Sequence, residues 1–251
     1  MNILTWNING YNTVDKYGGF SQLLGQSLDF VCLQEVKVSN PEQLYTIFTL
    51  EYEHYYNFSS NKGHNGVYIY AKDAACQVIT EIGMDRFDSE GRFLCLDYGD
   101  YYIVNVYMPH GGRNKKDLSY KLDSYRYLIS FLEKIKEQKV IVTGDFNIAC
   151  SNIDVERYRE NKKNVMFTEE ERCILGELLE VGYKDAYRLL YPDKREYSWW
   201  PYAYNARNRN LGWRIDYFFI TQKLEGSVEE TVIRNDIAGS DHCPLQLSIR
   251  I

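Results

Sequence analysis

The sequence has few features that would divide a chain or anchor it in a membrane. Its 251 residues contain only 5 prolines and no Pro-, Gly- or Ser-rich linker, which predicts one domain spanning residues 1–251. No apolar run approaches the ~20 residues that cross a bilayer. A strand-like run begins already at Ile3, where a secretory signal would need a charged and then an apolar region. These absences predict a cytoplasmic protein without membrane contact.

Paired cysteines and clustered histidines are also lacking. Six cysteines lie far apart, mostly inside apolar runs, without a C-x-x-C pair, and there are only 4 histidines. This pattern argues against a disulfide framework or a zinc site and favours buried free thiols in a reducing compartment. A metal site in this chain would use oxygen ligands, and such ligands favour Mg²⁺ or Mn²⁺.

An excess of positive charge is missing as well. The chain carries 29 Lys and Arg against 35 Asp and Glu, a formal net charge of -6, which at first argues against a polyanionic partner. Basic residues nevertheless gather at 113–116, 157–163 and 207–214. These segments could line one face of an acidic protein, although solvated loop charge explains them equally well.

Short apolar runs, many with alternating polarity, dominate the chain and predict strands. They cover residues 2–6, 30–33, 54–58, 66–71, 77–80, 92–98, 101–107, 140–143, 214–220 and 245–251. Helical patterns fall between them. Asn40-Pro41 gives a start signal, Thr168 and Glu171 form a capping box, and residues 118–135 are amphipathic. The order predicts an α/β fold, a four-layered sandwich of two packed, mostly antiparallel sheets flanked by helices.

Polar residues stand at the ends of six apolar segments; Asp216 follows residues 211–215, and the last group comes just before Pro244-Leu245. They are Asn7, Gln34 with Glu35, Tyr107, Asp145 with Asn147, Asp216, and Asp241 with His242. Strand ends on a rigid sheet can hold catalytic groups in fixed geometry, so the pattern predicts a shared polar rim. The alternative is that acids and amides cap strands because they favour turns.

Several of these residues suit metal-assisted hydrolysis. Glu35 is the strongest metal-ligand candidate. In Gly144-Asp145-Phe146-Asn147, the acid could accept a proton from water while the amide orients that water or a phosphoryl oxygen. Asp216 could orient His242 as a carboxylate orients an imidazole in hydrolytic dyads. A buried histidine bonded to a backbone carbonyl is the ordinary alternative.

The chain resembles the exonuclease III family of abasic-site DNA endonucleases, within the endonuclease/exonuclease/phosphatase superfamily. The most specific segments are Gly212-Trp213-Arg214-Ile215-Asp216-Tyr217-Phe218 and Gly239-Ser240-Asp241-His242-Cys243-Pro244. The other matching segments are residues 3–10, 33–37, 63–67, 90–92, 107–109, 144–149, 161–164, 197–200 and 205–207. The match thus covers almost the whole chain, and it implies the deoxyribonuclease I-like version of the predicted sandwich.

The resemblance implies a role for each rim residue. Asp145 would activate the attacking water, and Asp216 would orient His242. The scissile phosphate would be contacted by Asn7, Tyr107, Asn147 and His242. The implied Mg²⁺ ligands, with Mn²⁺ as a substitute ion, are Glu35, Asn9 and Asp241, with Asp145 and Asn147 as further candidates.

The resemblance also implies a DNA surface. Trp199, Trp213 and Ile215 match a tight apolar pocket for an extruded sugar without a base. Further DNA contacts are expected from His64, Arg92, His110, Arg113, Asn161, Lys163, Asn164, Tyr204 and Arg207. The chain departs from the usual pattern at Tyr11-Asn12-Thr13, at His110, where relatives have Asn or Gln, and at Tyr204, where some relatives have a smaller residue.

The function implied is Mg²⁺-dependent incision of duplex DNA 5′ to abasic sites, with 3′-phosphodiesterase and 3′-to-5′ exonuclease activity at the same centre. The expected partner is duplex DNA with abasic sites or 3′ blocks, bound by a monomer at the nucleoid. One alternative is a phosphatase or phosphodiesterase of the same superfamily acting on a small or lipid phosphate. A binding protein without catalysis is the other alternative, although each acid, amide and histidine of the site is present.

Overall fold

The computed structural model describes residues 1–45, 47–48 and 52–251. Its strands, numbered along the chain, are β1 (Asn2–Asn7), β2 (Phe30–Gln34), β3 (Glu53–Asn57), β4 (Val67–Ala71), β5 (Gln77–Ile79), β6 (Phe93–Asp97), β7 (Tyr101–Tyr107), β8 (Lys139–Asp145), β9 (Tyr183–Asp185), β10 (Asp216–Thr221), β11 (Val228–Ile233) and β12 (Leu245–Ile249). Its α-helices are α1 (Tyr11–Lys16), α2 (Glu42–Tyr45), α3 (Asp85–Ser89), α4 (Leu118–Ile135), α5 (Tyr158–Asn161), α6 (Glu169–Glu180) and α7 (Ala186–Leu190).

The strands form two six-stranded sheets. The first has the order β11-β12-β1-β2-β4-β3, and the second has the order β5-β6-β7-β8-β10-β9. Each sheet contains one parallel pair, β1 with β2 and β7 with β8, and its other neighbouring strands are antiparallel. The prediction of two mostly antiparallel sheets is therefore confirmed.

Alternating side chains divide each sheet between two apolar layers. Ile3 and Cys32 face the second sheet, where they meet Ile103 and Ile141 in the central core. Leu4, Trp6, Val31 and Leu33 point to the opposite side and pack with α1 and α2. On the outer face of the second sheet, Val104 and Val142 pack against α4 and α6. The result is the predicted order of helix, sheet, sheet and helix.

The two longest helices follow their sequence signals. The amphipathic stretch 118–135 coincides with α4, and the capping box of Thr168 and Glu171 begins α6. The Asn40 side chain caps the short α2, whereas Ile47 and Phe48 are buried beyond its end. Residue 46 of this predicted helix lies outside the described residues. Within the described part of the chain, no helix has the length and apolarity needed to span a membrane.

Two strands were not predicted from the sequence. β11 lies at the edge of the first sheet, and its exposed Glu229 and Glu230 interrupt the apolar alternation. Charged residues are common on edge strands because they discourage pairing with another chain. β9 is an edge strand of three residues, too short to give a pattern. Tertiary pairing, and not local sequence, determines both strands.

Gln34 occupies a different place from the one predicted. Its side chain is fully buried, and its amide donates to the Asn105 side chain of β7 at 2.7 Å. Asn105 in turn donates to the Leu33 carbonyl at 3.0 Å. These hydrogen bonds join the two sheets just below the polar rim, and Gln34 therefore helps to align the sheets instead of facing the solvent.

Candidate active site

Strand register brings the polar strand ends together. Asp145, at the end of β8, lies opposite Tyr107 of the parallel β7 and opposite Asp216 of the antiparallel β10. In the first sheet, Asn7 ends β1 next to the end of β2, and Glu35 follows directly. The ends of the two central parallel pairs therefore meet at one edge of the sandwich.

Asn7 connects the two sheets at this edge. Its side-chain nitrogen donates to Glu35 Oε1 at 2.8 Å and to Asp145 Oδ2 at 2.9 Å. Asn7 and Asp145 are both buried, and Tyr107 forms a hydrogen bond with Glu35. An amide between two carboxylates keeps them close without adding charge.

The segment after β8 fixes the orientation of Asp145. A Cβ on Gly144 would lie 1.9 Å from the Val106 carbonyl oxygen, so only glycine permits this approach of β7. Asn147 has a positive φ of 51°, and its backbone and side-chain nitrogens donate to the two Asp145 oxygens at 2.8 and 3.1 Å. The segment therefore places the amide beside the acid, as predicted.

His242 forms a buried pair with Asp216. Its Nδ1 lies 2.9 Å from Asp216 Oδ2, and its Nε2 lies 3.9 Å from Asp145 Oδ2. Ser198, which is fully buried, donates to Asp216 Oδ2 at 2.6 Å and accepts from the Asp216 backbone nitrogen. The Asp216 carboxylate is therefore held from both sides, and His242 Nε2 faces Asp145.

Burial and neighbouring charges shift the pKa values of this group. Burial raises the pKa of Asp145 to about 7, with added repulsion from Asp216 and Glu35, while the charge of His242 opposes the shift. Burial alone would lower the pKa of His242, but the Asp216 carboxylate outweighs it and raises this pKa to about 10. These shifts favour the charged form of His242 and the protonated form of Asp145 relative to the free side chains.

A second group of oxygens lies beside Glu35. The Lys37 ammonium is 2.7 Å from Glu35 Oε2 and 2.6 Å from Asn9 Oδ1, and Asn9 donates to Asp241 at 3.0 Å. Burial works against ionisation of Glu35, but the charge of Lys37 and several hydrogen bonds lower its pKa below the usual value. A cation already lies between the Glu35 and Asn9 oxygens, so this donor set fits a hard metal ion.

Asp145, Asp216 and His242 also have ligand atoms within 4.8 Å of one another. The protonated His242 already supplies the positive charge between these two carboxylates. A metal at that place would have to displace the imidazolium. The oxygens of Glu35, Asn9 and Asp241 are the better candidates for a metal site.

A cavity of about 550 Å³ is lined by Trp199, whose backbone pairs with His242. Its apolar wall contains Trp199, Trp213 and Met166, and its polar rim contains Arg113, Asn161, Lys163 and Asn164. Trp199 pairs through its backbone with Trp213 on one side and with His242 on the other. Its indole nitrogen donates to Asp241 Oδ2 at 3.0 Å. Trp199 therefore connects the cavity wall to the His242–Asp216 pair and, through Asp241, to the oxygens beside Glu35.

Comparison with known proteins agrees with this arrangement. The model of the "Endonuclease/Exonuclease/phosphatase family" matches residues 4–242. The chain is 35% identical to a Bacillus subtilis exodeoxyribonuclease over 254 residues, which cover 100% of both chains. It is 34% identical to a Dictyostelium discoideum DNA-(apurinic or apyrimidinic site) endonuclease over 250 residues, 98% of this chain and 69% of that protein.

The fold agrees as well. The solved structure of an AP endonuclease from Archaeoglobus fulgidus matches with a TM-score of 0.91 at 26% identity, covering 100% of both chains. The chain belongs to the endonuclease/exonuclease/phosphatase family. The resemblance read from the sequence motifs is therefore confirmed, as is the fold that it implied.

Within this family fold, several predicted DNA-contacting residues have internal partners. Arg92 is buried, donates to the Tyr107 carbonyl at 3.1 Å and stacks on the Tyr107 ring. Arg207 donates to the carbonyls of Ser240 and Ile237 at 3.0 and 2.9 Å. Both guanidinium groups are bonded to backbone carbonyls of the protein, and the prediction that they contact DNA stays a prediction.

Other predicted residues are placed at the surface or beneath it. His64 and His110 are exposed in loops, and Tyr204 is 84% exposed with a positive φ of 60°. Ile215 is buried in the cluster behind Trp213, so it supports the cavity wall from the rear. The cavity has an apolar wall, and the prediction of a tight pocket for a sugar without a base stays a prediction.

Two residues of the site were missed in the sequence, although both lie inside recognised motifs. Ser198 belongs to Tyr197-Ser198-Trp199-Trp200, and Lys37 ends the segment that begins at Leu33. A serine next to a tryptophan, or a lysine two residues after a glutamate, is common in proteins and does not indicate a functional site. Their contacts with Asp216 and Glu35 become visible only in three dimensions.

Proposed function

We propose that this protein is a Mg²⁺-dependent DNA repair nuclease that incises duplex DNA 5′ to abasic sites and leaves a 3′-hydroxyl. The observation that carries the proposal is Trp199, which lies between His242 and the cavity wall formed by Trp213. A sugar inserted in this cavity would place its 5′ phosphate towards His242 and Asp145. The family relatives named as exodeoxyribonuclease and AP endonuclease support the same reading.

The buried polar residues are suited to hydrolysis of a phosphodiester. Asp145 accepts the proton of the attacking water, because its carboxylate is held by Asn7 and Asn147 and its pKa lies near neutrality. The His242 imidazolium stabilises the negative charge that develops on the phosphate, and Asp216 preserves its orientation. The Asn7 and Tyr107 side chains contribute hydrogen bonds at the same edge.

The Glu35, Asn9 and Asp241 oxygens would hold the metal, with Asp145 and Asn147 as further candidate ligands. A bound Mg²⁺, or Mn²⁺ in its place, would neutralise charge on the phosphate oxygens. Lys37 would leave these oxygens and remain near the DNA backbone as a cation. The family of metal-dependent enzymes to which the chain belongs supports this assignment.

The DNA surface surrounds the cavity. Arg113 and Lys163 at its rim suit phosphate groups, and the exposed Tyr204 suits contact with the duplex. An abasic nucleotide has no base to unstack, so it enters the cavity at the lowest energetic cost. Selectivity for abasic sites therefore depends on how easily the nucleotide leaves the duplex and on its contact with Trp199 and Trp213. We expect the protein to act as a monomer on DNA in the cytoplasm, at the nucleoid.

The same centre accounts for 3′-phosphodiesterase and 3′-to-5′ exonuclease activity, since a blocked or normal 3′ end also presents a phosphodiester to Asp145 and His242. A phosphatase acting on a small or lipid phosphate would need the polar rim but not the tryptophan wall. The Trp199 and Trp213 pair, with ring centres 6.3 Å apart, thus favours the DNA substrate.

Removal of the metal should abolish incision. Purified protein is incubated with Mg²⁺ or EDTA and end-labelled duplexes that contain an abasic site, an intact blunt end or a deoxyuridine. We expect one Mg²⁺-dependent cut 5′ to the abasic site and slower shortening of the blunt end. Equal cutting at all positions, or cutting that persists in EDTA, would contradict the proposal.

Replacing Trp213 with alanine should lower incision at abasic sites more than hydrolysis of a small phosphodiester. The indole forms part of the wall that would enclose the extruded sugar, and losing about 1.4 kcal/mol of that contact would lower abasic incision roughly 10-fold further than hydrolysis of the small substrate. The ratio of the two kcat/KM values measures the effect. Trp213→Phe, which keeps an aromatic wall, serves as the control. Equal losses on both substrates would show that Trp213 acts only in packing.

A further inference from the structure

A buried ion pair lies directly behind the site, where it contacts the backbone of the Asn147 segment. Lys121 of α4 and Glu171 of α6 are both 0% exposed, and Lys121 Nζ lies 2.6 Å from Glu171 Oε1. Removing two charges from water is costly, and such a pair commonly adds little stability compared with apolar residues of similar size. The Lys121–Glu171 pair therefore calls for an explanation other than packing.

Lys121 holds the segment that orients Asp145. Its ammonium also donates to the Asn147 carbonyl at 2.6 Å and to the His110 carbonyl at 3.2 Å, so all three N–H groups have acceptors. Asn147 has a left-handed backbone conformation, which is uncommon outside glycine and needs support from its surroundings. A charged hydrogen bond to its carbonyl provides that support.

Glu171 holds the segment that forms one side of the cavity. Its Oε1 accepts from the Met166 backbone nitrogen at 2.9 Å, and its Oε2 accepts from the Thr168 nitrogen and hydroxyl at 3.0 and 2.9 Å. Met166 lines the cavity together with Asn161, Lys163 and Asn164, and it too has a positive φ, of 73°. The Glu171 carboxylate thus fixes the backbone at Met166 and Thr168, where this side of the cavity ends.

A third segment rests directly on the pair. Gly111, with φ of 94°, approaches so closely that a Cβ there would lie 3.3 Å from Lys121 Cδ and 2.9 Å from Val165 Cγ2. This segment leads to Arg113, which also lines the cavity. The two rims of the cavity and the Asn147 segment therefore meet at one buried pair of charges.

We propose that Lys121 and Glu171 are positioning residues that set the cavity at a fixed distance from the hydrolytic centre. This inference rests on the proposed function, because it assigns the cavity to an abasic nucleotide. Lys121 acts through Asn147 on Asp145, and Glu171 acts through residues 161–166 on the DNA. Neither side chain contacts the substrate.

The test uses Lys121→Met/Glu171→Met, which replaces both charges with unbranched apolar side chains of similar length. We expect kcat to fall by roughly 10-fold to 10²-fold both on abasic duplex and on a small phosphodiester, because Asn147 loses its support. KM should rise several-fold for the abasic duplex alone, because only that substrate uses the rims. Lys134→Met, the same change at an exposed position of α4, is the matched control.

A purely structural role would lower the thermal midpoint and the active fraction while leaving kcat and KM of the folded enzyme unchanged, and that result would overturn the proposal. If the double variant does not fold, Glu171→Gln removes the charge with an isosteric side chain. It should raise KM for abasic duplex, and an unchanged KM and kcat would again refute the inference. Should the wild type ignore abasic sites, the proposed function fails, while hydrolysis of the small phosphodiester still measures the effect of Lys121 on kcat.

Discussion

Replacing Asp145 with asparagine should slow incision of abasic DNA by roughly 10²-fold or more, the usual contribution of a positioned general base. Asparagine has nearly the same shape and can still accept the hydrogen bond from the Asn147 backbone nitrogen, but it cannot take a proton from water. The rate should be measured in a single turnover with saturating enzyme, so that product release does not mask the chemical step.

Binding of the duplex provides the control for this variant. Fluorescence anisotropy in EDTA should give a similar affinity for wild type and Asp145→Asn, because the cavity and its rim are unchanged. Asp123→Asn, at a partly exposed acid on α4 that pairs with Arg126, should retain the wild-type rate. An Asp145→Asn variant with a near-normal rate would remove Asp145 from the chemistry.

Replacing His242 with asparagine should also slow incision by roughly 10²-fold or more, because the phosphate loses a preorganised cation. Since His242 is held by Asp216, Asp216→Asn should give a smaller loss. The double variant should be no slower than His242→Asn alone, because Asp216 acts through the imidazole. Single-turnover rates of the three variants form the required cycle.

His54 is the matched histidine control. It is partly buried on β3, the edge strand of the first sheet, and bonds to the Tyr68 hydroxyl. His54→Asn should therefore keep the wild-type incision rate. If losses from Asp216→Asn and His242→Asn simply multiplied, the two residues would act independently and the proposed orientation of the imidazole would be wrong.

The polar rim could be predicted from the sequence because it depends on where strands end. Apolar runs before Asn7, Glu35, Tyr107 and Asp145 locate those ends within a residue or two. The pairing of Asp216 with His242 was also foreseen, although only as one of two possibilities. The family motifs then distinguish the acids, amides and histidine of the site from residues of the same types elsewhere in the chain.

The remaining features depend on contacts between distant segments. Asp216 faces Asp145 because β8 and β10 pair in one antiparallel register, which no local pattern specifies. Arg92 and Arg207 look like surface cations in the sequence, yet their guanidinium groups bind backbone carbonyls. Lys121 looks like the polar face of an amphipathic helix, and only the position of α6 shows that it is buried.

The pairing of β1 with β12 has a consequence for the synthesis of the protein. Residues 2–5 pair with residues 245–248, so the first strand has no antiparallel neighbour on that side until the last strand has left the ribosome. Such distant pairings form slowly and late. The same region joins Ser240 to the Asn7 carbonyl at 2.9 Å, two residues before His242. A partly made chain would therefore be unable to cut DNA, and nuclease activity would report that folding is complete.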